Sequence, residues 1–195
     1  YDISRGKIKL AGKDIKEYSL ESIRENIALV EQKSRLFRGD IKSNLLWGDN
    51  NASEQELYEA ATIAQAVDVI NSKENKLNSE VAMYGNNFSG GQKQRLSIAR
   101  SLVKKAGILI LDDSSSALDY ATDSRLRKAI KQIKNITTLI VSQRIVSIKN
   151  ADRIIVLDDG KIVGIGTHDE LLESNSIYRE IYNSQIMSEE DSNEK

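Results

Sequence analysis

The sequence predicts an α/β fold, and three observations carry that expectation. Ile108-Leu109-Ile110-Leu111 runs without interruption into Asp112-Asp113, which describes a strand buried on both faces whose C-terminal end meets a ligand crevice. Ile27-Ala28-Leu29-Val30 and Thr137-Thr138-Leu139-Ile140-Val141 are two further apolar runs of strand length. Between these strands lie segments of helical period, with Leu57, Ala61, Ala64 and Val67 on one stripe and Leu96, Ala99 and Leu102 on another. Buried strands alternating with amphipathic helices place the chain in the α/β class.

Composition bounds what such a fold can do. With 195 residues and 39% hydrophobic content the chain can build one substantial domain, and a second full domain is not expected. Net charge is −1 with lysine and arginine spread along the chain, so there is no basic footprint for DNA or RNA. The apolar runs are far short of a membrane span and no signal peptide is visible. Membrane contact is therefore expected through a partner or through sequence outside these residues. The absence of cysteine excludes a disulfide framework and thiolate chemistry and is compatible with a reducing cytoplasm. The first residue is Tyr1 rather than methionine, which suggests a fragment.

Taken in order, Lys7-Ile8-Lys9-Leu10 alternates polar and apolar as a short strand ending at Gly12, with Lys13-Asp14-Ile15 as its exit. Ser19 to Glu25 reads as a short helix ahead of the Ile27–Val30 strand. The pattern is helical again from Asp40 to Leu46, and Ser53-Glu54-Gln55-Glu56 is a capping box opening the next helix. Asn71 to Asn78 is a polar loop, and Asp123 to Ile133 is an amphipathic helix. Arg153 to Leu157, Asp159-Gly160 and Lys161-Ile162-Val163 form a hairpin. A helix is expected from Asp169 to about Asn183, and the acidic end from Ser188 to Lys195 as disordered tail. The only histidine, His168, falls inside the capping box Thr167-His168-Asp169-Glu170, which gives it a structural setting.

The stretch Asn87-Phe88-Ser89-Gly90-Gly91-Gln92 deserves separate treatment. Two adjacent glycines allow positive φ and close approach to a ligand, and the basic helix that follows keeps Lys93, Arg95 and Arg100 off its apolar stripe. A hydroxyl, free N–H groups and a positive dipole end suit a phosphate, although the same features describe an ordinary capped helix. Ser89-Gly90-Gly91-Gln92 followed by Gln94-Arg95-Leu96-Ser97-Ile98-Ala99-Arg100 resembles the signature loop and helix of ATP-binding cassette (ABC) ATPases. Gly107 to Asp113 resembles their Walker B strand, and Ser116-Ala117-Leu118-Asp119 their D-loop. Gln32 follows a buried strand as the family's Q-loop glutamine does, with Glu31 where a proline is usual. The order of these motifs along the chain carries the resemblance, which extends from Tyr1 to about Gln185.

The resemblance implies a P-loop NTPase-like (RecA-like) core with a helical signature subdomain over about 40–105, incomplete at the N-terminus. Residues 1–185 would be a partial ABC ATPase domain and 186–195 a polar acidic tail. It further implies ATP and Mg²⁺ as cofactors, with Asp112 and Gln32 on the metal. Ser89, Gly90, Gly91 and Gln92 would close on ATP held by the opposite subunit, and Asp119 would end a D-loop at that interface. No Gly-x-x-x-x-Gly-Lys-Ser/Thr motif occurs, so the phosphate loop is expected upstream of Tyr1. Met83 stands where the family's cross-talk loop usually carries an acid.

Two departures fall on the chemistry. Asp113 occupies the position of the catalytic glutamate, and losing one methylene withdraws the carboxylate by roughly 1.5 Å. Gln143 stands in place of the switch histidine and cannot carry the imidazolium charge. With an intact signature loop, this pairing resembles the degenerate-site half of a heterodimeric ABC multidrug-type exporter. A second ABC subunit, a membrane domain fused upstream and a place on the cytoplasmic face of the cell membrane follow from the resemblance. The competing expectation is a truncated, catalytically silent remnant acting only in dimerisation or regulation. A soluble DNA-repair or chromosome ATPase, which shares the signature loop, lacks support because long heptad repeats and a basic face are absent.

Overall fold

The computed structural model describes residues 3–114 and 116–193, and for 187–193 the backbone alone. It comprises two compact units, Tyr1–Val141 and Ser142–Lys195.

The first unit opens with a ribbon of β1 (Lys9–Leu10) and β2 (Lys13–Asp14), antiparallel with Lys9 opposite Asp14. Ala11 and Gly12 between them have φ of 48° and 85°, the two positive values of a type I′ turn. The expected exit after Gly12 is therefore a second strand. Ser19 caps α1 (Leu20–Asn26), which runs directly into β3 (Ile27–Val30).

A pair of short strands, β4 (Gly39–Asp40) and β5 (Glu80–Val81), brackets the helices α2 (Ile41–Leu46), α3 (Glu54–Ile63) and α4 (Val67–Asn71). The stripe expected to run as one helix from Ser53 through Val67 breaks at Gln65, whose φ is 56°. Leu57, Ala61 and Ala64 are buried as expected, while Val67 begins the next helix. The signature helix α5 (Gly90–Val103) packs on α2, α3 and β3. At Gly48, just after α2, a Cβ would lie 2.2 Å from the Arg100 carbonyl oxygen, so only glycine permits this approach to α5.

After α5 come β6 (Ile108–Asp112), α6 (Tyr120–Lys131) and β7 (Thr137–Val141). The central sheet has the order β3-β6-β7 and is parallel throughout, with Ile27 beside Ile108 and Ile108 beside Thr137. Ala28, Val30, Leu109 and Leu111 enter one core with Leu96, Ile98 and Ala99 of α5 and Leu126 and Ile130 of α6. Burial on both faces was expected. The other face instead leaves Leu29, Leu139 and Val141 at 53%, 51% and 50% exposure. Helices α5 and α6 both pack on the face that carries Ala28, Val30, Leu109 and Leu111, so both connections of the sheet return on the same side.

The second unit holds α7 (Ile145–Ile148), the antiparallel pair β8 (Ile154–Asp158) and β9 (Lys161–Gly166), α8 (His168–Ser174) and α9 (Ser176–Asn193). Ile145, Ile154, Val156, Leu171 and Tyr178 form its core. Thr167 caps α8 through the expected box with Glu170, and the His168 Nδ1 lies 2.8 Å from the Tyr178 hydroxyl. The single helix expected from Asp169 to Asn183 is divided at Asn175, whose side chain donates to the Val163 carbonyl and accepts from the Tyr178 amide. Helix α9 then continues to Asn193. Met, Glu and Ser with no glycine or proline give that stretch nothing to stop it. Residues 194 and 195 lie outside the described residues. No described helix is long and apolar enough to cross a membrane.

Candidate functional site

The signature turn is built by reciprocal capping. Ser89, with φ −67° and ψ 163°, is the N-cap of α5. Its hydroxyl accepts from the Gln92 amide at 3.3 Å, and the Gln92 side-chain oxygen accepts from the Ser89 amide at 3.0 Å. Phe88 is buried beneath, with the Lys73 ammonium 4.5 Å from its ring centre. Ser89 and Gly90 remain exposed, so the hydroxyl and the first N–H groups of a 14-residue helix face outward.

The glycines serve differently from expectation. Neither Gly90 nor Gly91 has positive φ; both are helical. Gly91 is required for close approach, since a Cβ there would sit 3.0 Å from the Ala117 carbonyl oxygen. The D-loop segment thus packs on the signature turn of its own chain. The helix is also buried over more than its apolar stripe. Gln94 and Ser97 are inside, Arg95 is held by Asp68 and the Gln65 carbonyl, and Arg100 is half-buried against the Phe37 ring. The apolar stripe could not reveal this, because the cations are covered by segments distant in sequence, Arg95 by Gln65 and Asp68 and Arg100 by Phe37.

Asn87 is a residue that motif reading missed. Its amide accepts from the Ala82 N–H at 3.0 Å and donates to the Glu80 carbonyl at 2.7 Å, fastening the preceding loop to the signature turn. An Asn before a glycine-rich turn was the available signal.

At the C-terminal end of β6, Asp112 is exposed and Asp113 turns into the left-handed region with φ 44°. That conformation is sparsely populated for a residue with a side chain. It is held by the Asp113 amide donating to the Val141 carbonyl at 2.9 Å and by Gln32 Nε2 donating to the Asp113 carboxylate at 3.1 Å. Gln32 and Asp113, far apart in sequence, are therefore brought together. Asp119 caps α6 by accepting from the Thr122 amide at 2.9 Å, and the Thr122 backbone and hydroxyl hold its carboxyl below the usual range.

For a divalent cation, Asp112 offers a free carboxylate and Gln32 its amide oxygen, its nitrogen being committed to Asp113. One carboxylate and a neutral oxygen fit Mg²⁺, which keeps waters and takes the rest of its shell from phosphate. Among the described residues no cluster of three or more His, Cys, Asp or Glu could hold a metal unaided.

Gln143 lies in the second unit and is exposed. Its carbonyl accepts from Gln185 Nε2 at 2.7 Å, and the Gln185 oxygen accepts from the Ile145 amide at 2.9 Å. Gln185 on α9 thus staples the segment bearing Gln143, and no local sequence signal marks it.

A parallel sheet with acids at a strand end, a glutamine beside them and a capped Ser-Gly-Gly turn against the D-loop segment defines an ABC-type nucleotide-binding fold. The chain matches the family described as ABC transporter over residues 1–116, and it belongs to that family. It is 42% identical over 186 residues to the uncharacterized ABC transporter ATP-binding protein YfiB of Bacillus subtilis, covering 95% of this chain and 32% of that protein. It is 39% identical over 188 residues to the ATP-dependent lipid A-core flippase of Escherichia coli K12, with the same two coverages of 95% and 32%. Among solved structures, a bacterial Atm1-family ABC exporter with ATP bound superposes with a TM-score of 0.91 at 35% identity, covering 95% of this chain and 33% of that one. The chain spans about a third of the length of these relatives. It is an ABC transporter nucleotide-binding domain sequence, homologous to those of exporters.

Proposed function

We propose that this chain is the C-terminal part of an ABC exporter's nucleotide-binding domain and works chiefly by presenting its signature loop to ATP held on a second, non-identical subunit. ATP and Mg²⁺ are the cofactors, and the phosphate loop and membrane domain belong to the same transporter, which holds the domain at the cytoplasmic face of the cell membrane. The supporting observation is the contrast within one chain. The Ser89 turn is complete and exposed, whereas the β6 end carries Asp113 where a glutamate is usual and Gln143 replaces histidine.

In this reading Ser89 and the exposed amides at the start of α5 bind phosphate oxygens, and Gly91 lets Ala117 fix the height of the D-loop against the turn. Bound ATP supplies the phosphoanhydride whose cleavage drives transport, and Mg²⁺ is held by Asp112 and Gln32. Asp113, shortened and tied to Gln32, orients water poorly; a misplacement of about 1 Å can cost on the order of a hundredfold in rate. Gln143 exchanges hydrogen bonds but carries no proton charge.

The test is ATP turnover by the complete transporter with its partner, comparing Ser89→Ala with Asp113→Asn. The first is expected to remove most turnover and the second to change it little. The reverse pattern overturns the proposal.

A further inference from the structure

Beyond Gln32 the chain turns over a cavity of about 220 Å³ between β3 and α5, lined by Glu31, Lys33, Ser34 and Arg35 from the loop and by Ser97 and Arg100 from the helix. Ser97 and Arg100 are three residues apart and therefore share one face of α5. Ser97 is 4% exposed, and its hydroxyl has no hydrogen-bond partner. The Arg100 Nη1 is likewise buried and without a partner. A turn earlier, the Gln94 oxygen bonds the Ser34 hydroxyl while its Nε2 is left without a partner. Buried donors left unmade are costly, and native structures satisfy nearly all of them with protein, water or ligand.

The charge around the cavity is one-sided: Lys33, Arg35 and Arg100 against the single carboxylate of Glu31. The guanidinium of Arg100 sits 5.3 Å from the Phe37 ring centre, within range of a cation–π contact. Burial draws its pKa below the ordinary value, and Glu31 pushes it back up. A hydroxyl and a guanidinium edge on one helix face, with two more cations at the mouth, make a set of donors without a matching acceptor. The volume exceeds several times the ~30 Å³ a water occupies, so a tetrahedral anion has room.

We propose that this cavity binds one small oxyanion of the phosphate or sulfate class, held by the Arg100 guanidinium and the Ser97 hydroxyl, with Lys33 and Arg35 closing over it. Bound there, the anion neutralises the excess positive charge and ties the loop that carries Gln32 to the signature helix. The site is separate from the Ser89 turn and does not depend on the reading of that turn.

The test is a titration of the complete transporter with inorganic phosphate, balanced by chloride at fixed ionic strength and followed by the Arg100 Nε resonance. The readout is local to Arg100, so phosphate bound at the signature turn or at the phosphate loop does not contribute. A saturable shift is expected. Ser97→Ala should weaken the affinity about threefold to tenfold. Arg100→Gln should abolish saturable phosphate binding, and Glu31→Gln should tighten it. Should Arg100→Gln fail to fold, the near-isosteric Ser97→Ala decides. An Arg100 resonance unmoved by phosphate, one moved equally by chloride, or an affinity indifferent to Ser97→Ala overturns the proposal.

Discussion

Around Ser89 the polar groups are tied to partners three residues away, whereas around Asp113 the decisive tie reaches Gln32 across 81 residues of chain. The capping bonds of the signature turn are thus local, although Ala117 packs on it from a distant segment. The β6 end is a tertiary construction, with a left-handed Asp113 that persists only while β7 and Gln32 hold it. A locally closed turn is suited to being offered to another molecule. An end held from several directions is sensitive to a single methylene.

Four substitutions can break or sharpen this contrast, with Glu56→Gln as the control away from both regions. The largest effect is expected from Asp113→Glu in the complete transporter, which lengthens the carboxylate by one methylene and tests the proposed weakness of that end. It should raise turnover at the chain's own site by about ten- to a hundredfold, read in single-turnover ATPase with the partner's site disabled. An unchanged rate would mean that carboxylate reach does not separate the two regions.

Next comes Gly91→Ala, which forces a methyl group to 3.0 Å from the Ala117 carbonyl oxygen, a backbone atom with little freedom to yield. Thermal unfolding should register a loss of about 1–3 kcal/mol. The neighbouring Gly90→Ala, whose nearest contact is 3.9 Å away, should be close to neutral. Equal effects at the two positions would deny that the D-loop segment rests on the turn.

The smallest effect lies away from both ends, at Glu56. Its bond to Lys105, with help from Ser53, lowers its pKa from 4.5 to about 2. A carboxylate depressed on folding stabilises the chain above its unfolded value, and that contribution fades as pH falls from about 4.5 towards 2. Glu56→Gln should therefore lower the unfolding temperature slightly near neutrality, with the difference from the parent vanishing in acid, and leave ATP turnover unaltered. Because the pair is exposed, the shift should be small. A difference that grows in acid would assign Glu56 another role.

Much of this could be read from residue order. The three strands of the sheet, the boxes at Ser53 and Thr167, and the hairpin at Asp159-Gly160 were legible because each depends on residues within a few positions. The break at Gln65, the half-burial of Arg100 and the one-faced sheet were not. Each is decided by what a distant segment does: where α4 must go, which loop covers α5, and which side two crossovers take. In the site, Ser89, Asp112, Asp113 and Gln32 were named from pattern. The roles of Asn87, Ala117 and Gln185 were missed because each depends on a backbone group of another segment, Asn87 and Gln185 bonding theirs through side-chain amides and Ala117 offering its own carbonyl to Gly91.

Residue types and spacing by themselves determined the α/β class and the order of strands and helices, while the resemblance to ABC ATPases supplied the reading of Ser89, Asp113 and Gln143. Only the tertiary structure decided that Gln32 reaches Asp113, that Ala117 sits on Gly91 and that unpartnered donors of α5 face a cavity. The reason is physical. Hydrogen bonds within a turn are fixed by a handful of dihedral angles, whereas contacts between remote segments depend on how the whole core packs.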